Sequence, residues 1–535
     1  MAEEKIVFIA DKISEDALRI LRDAGIAFDY RPGLPPEEKK AAVSRARALI
    51  VRSDTKATKE FLDSATALEL IVRAGVGVDN IDVDAATRRG IVVQNVPEGN
   101  VRSAAEHTIA LLLALARNVP QGTMTMKEGK WERSKLMGVE VLGKALGVVG
   151  LGKIGRHVAQ MANGLGFRVL AHDPFVAPRL AQELNVELVP DLKDLVARVD
   201  FLTVHVPLSP ATKKLVNAEL LERAKPGLRL VNCARGGVVD EAALVKALDE
   251  NRVAAAAVDV FENEPPGLTP LVAHPRVIST PHLGASTREA QENVAIAAAH
   301  QVVDYFLLKK LHSPVNAVVL DPELRERMAP YRELALRLGR LQAQLLEGNP
   351  VRVAIKYYGE IFDERIQRYI TNSVLEGFLG SRSEQPVNVI NARALAKEQG
   401  LTVEERSEGK SRYFVAMVRV EVEDNAGKRE VGGTIRGRSG LRLVSLDAYQ
   451  FDAVLEGTML ITANKDKPGM IGVIGNALAA GNVNISNMSL GRDRTGGTAL
   501  SLLNVDDPVP EEVLRDLRAH EGILWSRVVE IDPRA

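Results

Sequence analysis

Three glycines in the segment GLGKIG, residues 150–155, constrain this chain more than any other feature of its sequence. They follow the apolar run ALGVVG, typical of a buried strand, and they open a helical pattern over residues 153–165. In a strand–turn–helix unit of this kind, one glycine permits a tight turn, a second lets the backbone approach a pyrophosphate, and a third lets the helix pack closely on the strand. The unpaired N–H groups at the start of the helix would face the phosphates. The pattern therefore predicts a doubly wound Rossmann unit that binds a dinucleotide through Gly150, Gly152 and Gly155.

An acidic residue, Asp173, ends the next apolar run, FRVLAHD. A carboxylate at this place can accept hydrogen bonds from both ribose hydroxyls of the adenosine half, and it repels a 2′-phosphate. The competing interpretation is a glycine turn in an α/β fold that binds nothing. Because strand, helix and acid all stand at the expected places, we predict a nucleotide site, with NAD rather than NADP as the cofactor.

Composition and charge exclude several classes of protein. The 69 basic and 70 acidic residues nearly cancel, which argues against a nucleic-acid partner. The single cysteine, Cys233, rules out an intrachain disulfide and is compatible with a reducing compartment. The N-terminal segment lacks the pattern of a signal peptide, and no apolar run approaches the ~18 residues of a membrane span. We therefore expect a cytoplasmic protein with no nucleic-acid, membrane or metal partner.

The chain is too long for one hydrophobic core, and its length of 535 residues suggests roughly three or four domains. Short apolar runs alternate with helical stretches over the first hundred residues, and again over residues 145–285, which predicts two parallel sheets with covering helices. Two long helical patterns, 102–118 and 286–309, separate these series. After Pro314 the pattern becomes irregular, with β-like runs such as PVNVINA and LRLVSLDAYQF. The last eighty residues read as a split βαβ arrangement.

Three later segments each follow a predicted strand and carry side chains suited to acid–base chemistry. They are NCARGG with Arg235, DVFENEPP with Glu264, and PHLGAST with His282. Oxidation of a 2-hydroxy acid needs a base for the hydroxyl proton and a cation for the carboxylate. His282 suits the first task, and Arg235 suits the second by bidentate pairing. Glu264 would orient the imidazole and favour its protonated form.

These motifs, together with RAGVGVDNID (73–82) and KWER (130–133), resemble those of the D-isomer-specific 2-hydroxyacid dehydrogenase family, and the match is dense over residues 1–312. The resemblance implies Arg235, Glu264 and His282 as the catalytic set. Val76 replaces a threonine that is common in close relatives, so only a backbone contact is expected there. The expected contacts with NAD are Val76, Gly150, Gly152, Lys153, Ile154, Gly155, Asp173, Val206, Cys233, Ala234, Arg235, Asp259, His282, Gly284 and Ala285.

The same resemblance implies how the domains are arranged. The Rossmann domain (101–285) is expected to be inserted in a discontinuous, flavodoxin-like α/β substrate domain (1–100 and 286–313), which agrees with the two long linking helices. Residues 314–452 resemble the α+β intervening domain of the long members of the family. Residues 456–535 resemble a ferredoxin-like ACT domain, a small-molecule sensor. The segment GGTIRGR (432–438) could hold an anion or be a solvated turn.

The leading substrate is 3-phospho-D-glycerate, because a doubly charged phosphate needs several cationic donors. Arg52 and Arg73 end neighbouring predicted strands, and Arg133 and Lys135 are expected to approach from a partner subunit. Glu264 argues against formate dehydrogenases, which pair the histidine with glutamine. A dehydrogenase for glyoxylate, hydroxypyruvate or erythronate phosphate, and an NAD-responsive corepressor scaffold, are the alternatives. The expected substrate contacts are Arg52, Arg73, Gly75, Asn100, Arg133, Lys135, Arg235 and His282.

The ACT-like tail suggests regulation, since hydride transfer does not require it. Asn464, Asp466 and Asn484 offer the donors and acceptors that the zwitterion L-serine needs. Related ACT sites form where two domains pair side by side, so we expect a homo-oligomer, a dimer or a tetramer. A purely structural dimerisation domain with a polar loop is the alternative.

Overall fold

The N-terminal sheet has five parallel strands in the order β2-β1-β3-β4-β5, a flavodoxin-like order. Four of its strands are almost wholly buried, and apolar clusters lie on both faces, as is usual for parallel sheets covered by helices; the edge strand β2 is half-buried. The computed structural model describes residues 6–383, 385–411, 413–425 and 427–532. The elements are β1 (Val7–Ile9), α1 (Glu15–Asp23), β2 (Phe28–Tyr30), α2 (Pro36–Val43), β3 (Ala48–Val51), α3 (Lys59–Asp63), β4 (Leu70–Arg73), α4 (Val83–Arg88) and β5 (Val92–Asn95).

Two helices carry the chain out to a second sheet. They are α5 (Val101–Arg117) and α6 (Val119–Lys127), and a 3-10 turn, Arg133–Leu136, follows them. The second sheet has seven parallel strands in the order β12-β11-β10-β9-β6-β7-β8. Its elements are β6 (Ala145–Val149), α7 (Lys153–Gly164), β7 (Arg168–His172), α8 (Pro178–Glu183), β8 (Glu187–Leu188), α9 (Leu192–Arg198), β9 (Phe201–Val204), α10 (Ala218–Glu222), β10 (Leu228–Asn232), α11 (Glu241–Asp249), β11 (Val253–Val258), α12 (Pro270–Ala273) and β12 (Val277–Ser279).

The helix α13 (Arg288–Leu308) returns the chain to the first sheet. It packs beside α1, and its buried residues Val294, Ala298 and Val302 join the core of the five-stranded sheet. The Rossmann sheet is thus inserted between two parts of the flavodoxin-like unit. The predicted α/β fold class, with one doubly wound sheet inserted in the other, is confirmed.

A six-stranded mixed sheet follows, in the order β14-β13-β15-β16-β17-β18. Two of its helices cross with very little space between them, because a Cβ added at Gly339 or Gly377 would lie 2.1 or 2.0 Å from a carbonyl oxygen of the other helix. The elements are α14 (Pro322–Leu345), β13 (Pro350–Tyr358), α15 (Glu364–Gly380), α16 (Ala392–Glu398), β14 (Thr402–Ser407), β15 (Met417–Asp424), β16 (Lys428–Arg436), β17 (Gly440–Leu446) and β18 (Tyr449–Val454).

Two β-like runs of the sequence behave differently from expectation. PVNVINA is not a strand but a loop ending in α16, since Asn388 accepts from the Ile390 N–H and Asn391 accepts from the Asn388 N–H. These local hydrogen bonds stabilise a turn, and the segment does not pair with a neighbouring strand. LRLVSLDAYQF is not one run but the hairpin β17–β18, which turns at Asp447 with φ of 50°.

The last part has the predicted βαββαβ order and forms an antiparallel sheet, β20-β21-β19-β22. One face packs on α17 and α18, and the other face shares a continuous apolar core with the preceding sheet and α14. In the described part of the chain, no helix has the length and apolar character needed to cross a membrane. The elements are β19 (Thr458–Lys465), α17 (Met470–Ala480), β20 (Ile485–Arg492), β21 (Thr498–Val505), α18 (Glu511–Ala519) and β22 (Ile523–Glu530).

Candidate active site

The turn that carries Arg235 is fixed by one side chain at the end of β10. The Asn232 carboxamide accepts from the Ala234 N–H (3.1 Å) and donates to the Arg235 carbonyl (3.2 Å). Ligand sites in open α/β sheets form beyond the carboxyl ends of the strands, and Arg235 stands at such an end. The backbone turn that presents Arg235 is therefore held by local hydrogen bonds.

His282 and Glu264 form the contact that the sequence predicts. The imidazole Nδ1 lies 2.8 Å from Glu264 Oε2, and Glu264 Oε1 accepts from the Phe261 N–H at 3.1 Å. Burial raises the pKa of the Glu264 carboxyl, but the hydrogen bond and the charge of His282 outweigh it and hold that pKa below its usual value. Glu264 is thus an ionised acceptor, and it directs the other ring nitrogen of His282, Nε2, away from itself.

Asp259 directly follows β11, and it accepts hydrogen bonds from the turn that carries His282. Its carboxylate is 1% exposed and accepts from the N–H groups of Leu283 (2.7 Å) and Gly284 (2.8 Å) and from the Thr280 hydroxyl (2.6 Å). Burial raises the pKa of Asp259, but hydrogen bonds from a histidine, from Thr280 and from the two backbone N–H groups hold it below its usual value. His282 adopts φ of 55°, in the left-handed region that is uncommon for non-glycine residues, so these bonds stabilise a strained turn.

Three arginines lie close together: Arg52 and Arg73 on the five-stranded sheet, and Arg235 on the sheet that also carries His282. Arg52 follows β3 and Arg73 ends β4, and the two strands are neighbours with Val51 paired to Arg73. Burial, and after it the charges of Arg235 and Arg52, lower the pKa of Arg73 to about 10. The buried Arg73 Nε has no hydrogen-bond partner among the described residues. Mutual repulsion and an unsatisfied donor indicate a site built for an anion.

The glycine loop has the geometry that a dinucleotide needs. Gly150 has φ of 93°, and a Cβ there would lie 2.8 Å from the His205 carbonyl oxygen. A Cβ at Gly155 would lie 2.0 Å from the Gly150 carbonyl oxygen, whereas one at Gly152 would meet nothing within 4 Å. Asp173 accepts from the Leu151 N–H (2.8 Å) and so ties the acid to the loop. Space beside Gly152, at the start of α7, therefore fits a pyrophosphate.

The other expected cofactor contacts lie on several different segments of the chain. Lys153 is exposed and pairs with Glu98 at 2.7 Å, and Ile154 and Val206 are half-buried. The Val76 carbonyl accepts from Asn95 at 2.6 Å. Ala234 is buried and Ala285 is half-buried, in the two turns described above.

Cys233 is buried beside Asp259, and burial raises the pKa of its thiol to about 12. One ligand atom each from Cys233, Asp259 and His107 lies within 4.8 Å of the others. Since the thiol is protonated and the Asp259 oxygens already accept hydrogen bonds, this cluster is a packed hydrogen-bonding group.

Three of the expected substrate residues stand apart from the arginine cluster. Arg133 and Lys135 lie on the 3-10 turn after α6, where Lys135 pairs with Glu132 at 2.8 Å. Asn100 precedes α5, and its buried Oδ1 has no hydrogen-bond partner among the described residues. Gly75, directly beyond Arg73, adopts φ of 150° and leaves room for the Arg73 guanidinium, since a Cβ there would lie 1.4 Å from Nη1.

The structure does not bring the three expected serine ligands together within one chain. Asn464 is 3% exposed and donates to the Lys465 carbonyl, and Asp466 accepts from the Gly496 N–H. Both lie where β19 ends. Asn484 donates to Asp506 at 2.6 Å and precedes β20, at the opposite end of the sheet. Seven residues of strand separate the two ends, roughly 20 Å.

Two partners of the active-site side chains, Asp79 and His107, were not predicted from the sequence. Asp79 accepts from Arg235 Nε at 3.1 Å, and His107 lies 3.2 Å from Asp259. Asp79 lies in the motif RAGVGVDNID, two residues after the second glycine. A carboxylate at this place in the motif could have indicated its role. His107 lies within α5 and gives no such signal.

Comparison with protein-family models gives three matches. The D-isomer specific 2-hydroxyacid dehydrogenase NAD binding domain matches residues 109–284. The D-3-phosphoglycerate dehydrogenase intervening domain matches residues 327–447, and the ACT domain matches residues 458–522. NAD is thus the cofactor, as the glycine loop and Asp173 predict.

Curated relatives match nearly the whole chain. D-3-phosphoglycerate dehydrogenase of Archaeoglobus fulgidus is 40% identical over 528 residues, which cover 98% of this chain and 100% of the relative. The Bacillus subtilis enzyme of the same name is 36% identical, with 98% and 99% covered. The Mycobacterium tuberculosis enzyme is 40% identical, also with 98% and 99% covered.

Solved structures match a smaller part of the chain. A Thermus thermophilus protein is 34% identical with a TM-score of 0.53, and the match covers 58% of this chain and 99% of that one. The NAD complex of an NAD-dependent formate dehydrogenase from Staphylococcus aureus is 28% identical with a TM-score of 0.52, with 58% and 99% covered. Fold, glycine loop and full-length relatives agree, and the chain belongs to the D-isomer specific 2-hydroxyacid dehydrogenase family, among its D-3-phosphoglycerate dehydrogenases with intervening and ACT domains.

Proposed function

We propose that this chain catalyses the NAD-dependent oxidation of 3-phospho-D-glycerate to 3-phosphohydroxypyruvate, the first step of phosphorylated L-serine biosynthesis. The observation that supports this substrate is the cluster of Arg52, Arg73 and Arg235, in which the buried Nε of Arg73 has no hydrogen-bond partner among the described residues. A substrate with a carboxylate at one end and a phosphate at the other would neutralise such a cluster. Glycerate and lactate, which lack the phosphate, would not.

The residues divide the chemistry between them. With Nδ1–H donated to Glu264, a neutral His282 presents the Nε2 lone pair, which takes the proton of the substrate hydroxyl. The ionised Glu264 stabilises the imidazolium that results. When NAD is bound, its nicotinamide ring accepts the hydride that leaves the carbon bearing this hydroxyl.

Arg235 holds the carboxylate. Its Nε and one Nη1 hydrogen are used by Asp79 and the Ala234 carbonyl, so three of the five guanidinium N–H groups stay available for bidentate pairing. The same cation polarises the carbonyl that develops as hydride leaves. We assign the phosphate to Arg52 and Arg73, with Gly75 directly beyond Arg73.

Arg133 and Lys135 complete the phosphate site of a partner subunit in this proposal. They lie on a segment with several solvent-exposed apolar side chains, namely Val119, Met124, Met126, Trp131 and Met137. An exposed apolar patch of this kind marks an interface. We therefore infer that the enzyme is a homo-oligomer, a dimer or a tetramer, and we propose that it works in the cytoplasm.

The deciding experiment measures NAD reduction with 3-phospho-D-glycerate, D-glycerate and D-lactate side by side. We expect the phosphorylated acid to have the highest kcat/KM, by at least about two orders of magnitude, because two charge-assisted contacts of ~1.5–3 kcal/mol each are lost without the phosphate. Equal use of glycerate would identify a general 2-hydroxyacid dehydrogenase. NAD binding with no turnover of any acid would favour a corepressor-like scaffold.

A further inference from the structure

The carboxylate of Asp79 lies among the three arginines. It contacts Arg235, which belongs to the other sheet. Asp79 follows β4 of the five-stranded sheet, whereas Arg235 follows β10 of the Rossmann sheet, 156 residues further along the chain. Arg235 Nε donates to Asp79 Oδ2 at 3.1 Å. The orientation of the guanidinium therefore depends on how the two units meet.

Gly77 shapes the space that this contact occupies. A Cβ at Gly77 would lie 2.3 Å from Arg235 Nη2 and 2.7 Å from Asp79 Oδ2. The guanidinium thus lies directly against the Gly77 backbone, with its Nε edge toward Asp79. Because Nη1 also donates to the Ala234 carbonyl at 2.7 Å, the plane of the guanidinium is fixed from two sides.

The charges around Asp79 explain why an acid is useful here. Arg52 and Arg235 both lower the pKa of Arg73, whereas Asp79 and Asp11 act in the opposite direction. Without an anion, the free Arg235 side chain would be repelled by Arg73. Asp79 holds it in the cluster through Nε, so three of the four terminal N–H groups stay available.

We propose that Asp79 is a positioning residue for Arg235: it fixes the guanidinium across the cleft so that the terminal N–H groups meet the substrate carboxylate. Gly77 is the companion residue, since a side chain there would displace the guanidinium from this place. The proposal rests on the proposed role of Arg235 in holding the carboxylate. Through Asp79, the unit of the five-stranded sheet would orient a side chain of the Rossmann unit.

The test compares four variants of the full-length protein: Asp79→Ala, Asp79→Asn, Gly77→Ala and Asp54→Ala. Asp79→Ala should lower kcat/KM for 3-phospho-D-glycerate by about 10- to 100-fold, the range for loss of a charge-assisted hydrogen bond. Asp79→Asn keeps an oxygen acceptor but loses the charge, so its kcat/KM should lie between those of Asp79→Ala and the wild type. Gly77→Ala leaves Asp79 in place but displaces the guanidinium, and it should reproduce the loss.

Asp54 is the matched control, an exposed acid of the loop after Arg52. Its replacement by alanine removes one negative charge near the cluster and should leave kcat/KM unchanged. NAD affinity and melting temperature are measured for every variant, since a merely structural defect would change those as well.

Equal activity of Asp79→Ala and the wild type would overturn the inference, and so would an Asp79→Asn variant as poor as Asp79→Ala. A wild type that does not turn over 3-phospho-D-glycerate would instead contradict the proposed function. The four variants would then be compared on whichever 2-hydroxy acid the enzyme oxidises, since every such acid carries the carboxylate that Arg235 is proposed to hold.

Discussion

At the scale of the residue, two carboxylates that follow the same strand have different tasks. Asp259 is 1% exposed, and both its oxygens accept from the turn that carries His282. Glu264 is 38% exposed and contacts the His282 ring itself. Both carboxyls have a pKa below the usual value, so both are ionised near neutral pH. Asp259 therefore holds the backbone turn, whereas Glu264 orients the imidazole and stabilises its protonated form.

Replacing either member of the His282–Glu264 pair should have a distinct effect. His282→Asn should bind NAD almost normally and lose roughly a hundredfold or more in kcat, the usual scale for general acid–base catalysis. Glu264→Gln removes the charge that favours the imidazolium, so the acidic limb of the kcat/KM profile should move to lower pH while activity is retained. Near-normal turnover by His282→Asn would rule out this base.

The same pair gives stability a definite dependence on pH. Because the pKa of Glu264 is lower in the folded protein than in the unfolded chain, its contribution is present above the unfolded pKa of ~4.3 and is lost as pH falls through the folded value. In Glu264→Gln this part of the acid destabilisation should be absent, as pH-dependent melting curves would show.

At the scale of the element, the glycine loop separates a packing requirement from a binding requirement. Gly155 belongs to the packing of α7 on β6, since a Cβ there would overlap the Gly150 carbonyl oxygen at 2.0 Å. Gly152 begins the same helix, yet a Cβ there would enter open space. One motif thus contains a residue needed for folding and a residue needed for the ligand.

This difference makes Gly152→Ala and Gly155→Ala a matched pair. Gly155→Ala should lower the unfolding free energy by roughly 1–3 kcal/mol, because a backbone carbonyl must shift. Gly152→Ala should change it by less than about 0.5 kcal/mol but raise the NAD dissociation constant on the order of tenfold or more. Melting curves and NAD titrations measure the two effects. Equal NAD affinity of Gly152→Ala and the wild type would contradict the pyrophosphate position.

At the scale of the whole molecule, the last two units behave as one packed body. The intervening sheet, α14 and one face of the ACT sheet share a single apolar core. The same body contacts the substrate unit, since Asn388 donates to the Gly90 carbonyl (3.0 Å) and Asn391 to the Arg88 carbonyl (3.3 Å), at the end of α4. The other end of α4 follows the segment that contains Asp79. The C-terminal half therefore contacts the helix whose other end adjoins the segment that contains Asp79.

We expect L-serine to bind between two ACT domains and to restrain the enzyme. Asp466 and Asn484 lie at opposite ends of one sheet, so a single chain cannot present both to one small ligand. Pairing of two domains would bring Asp466 of one near Asn484 of the other. Inhibition with a coupling of ~1–3 kcal/mol is the expected scale.

Calorimetry and activity titrations with serine, beside sedimentation analysis, measure this expectation. Asp466→Ala and Asn484→Ala should each abolish the heat of binding while basal turnover stays unchanged. Millimolar serine that gives neither heat nor inhibition in the wild type would leave the tail as a structural dimerisation domain.

The sequence by itself determined the local parts of this protein. The glycine loop, the Arg235 turn and the His282 turn depend on residues within a few positions of one another, and helices such as α5 and α13 show in their apolar period. The short strand β2, with its half-buried residues, gave no such signal. PVNVINA gave a false one, because the asparagine bonds of its turn outweighed its apolar residues.

Only the tertiary structure decided which distant side chains meet. The Asp79–Arg235 contact spans 156 residues and two sheets, and the shared core of the last two units joins strands of both. The separation of Asp466 from Asn484 follows from strand order and register, which a residue list does not state. Local patterns fix turns because the interacting groups are neighbours in the chain. Contacts across the cleft depend on the packing of whole units, and their energetics cannot be assigned to any one segment of sequence.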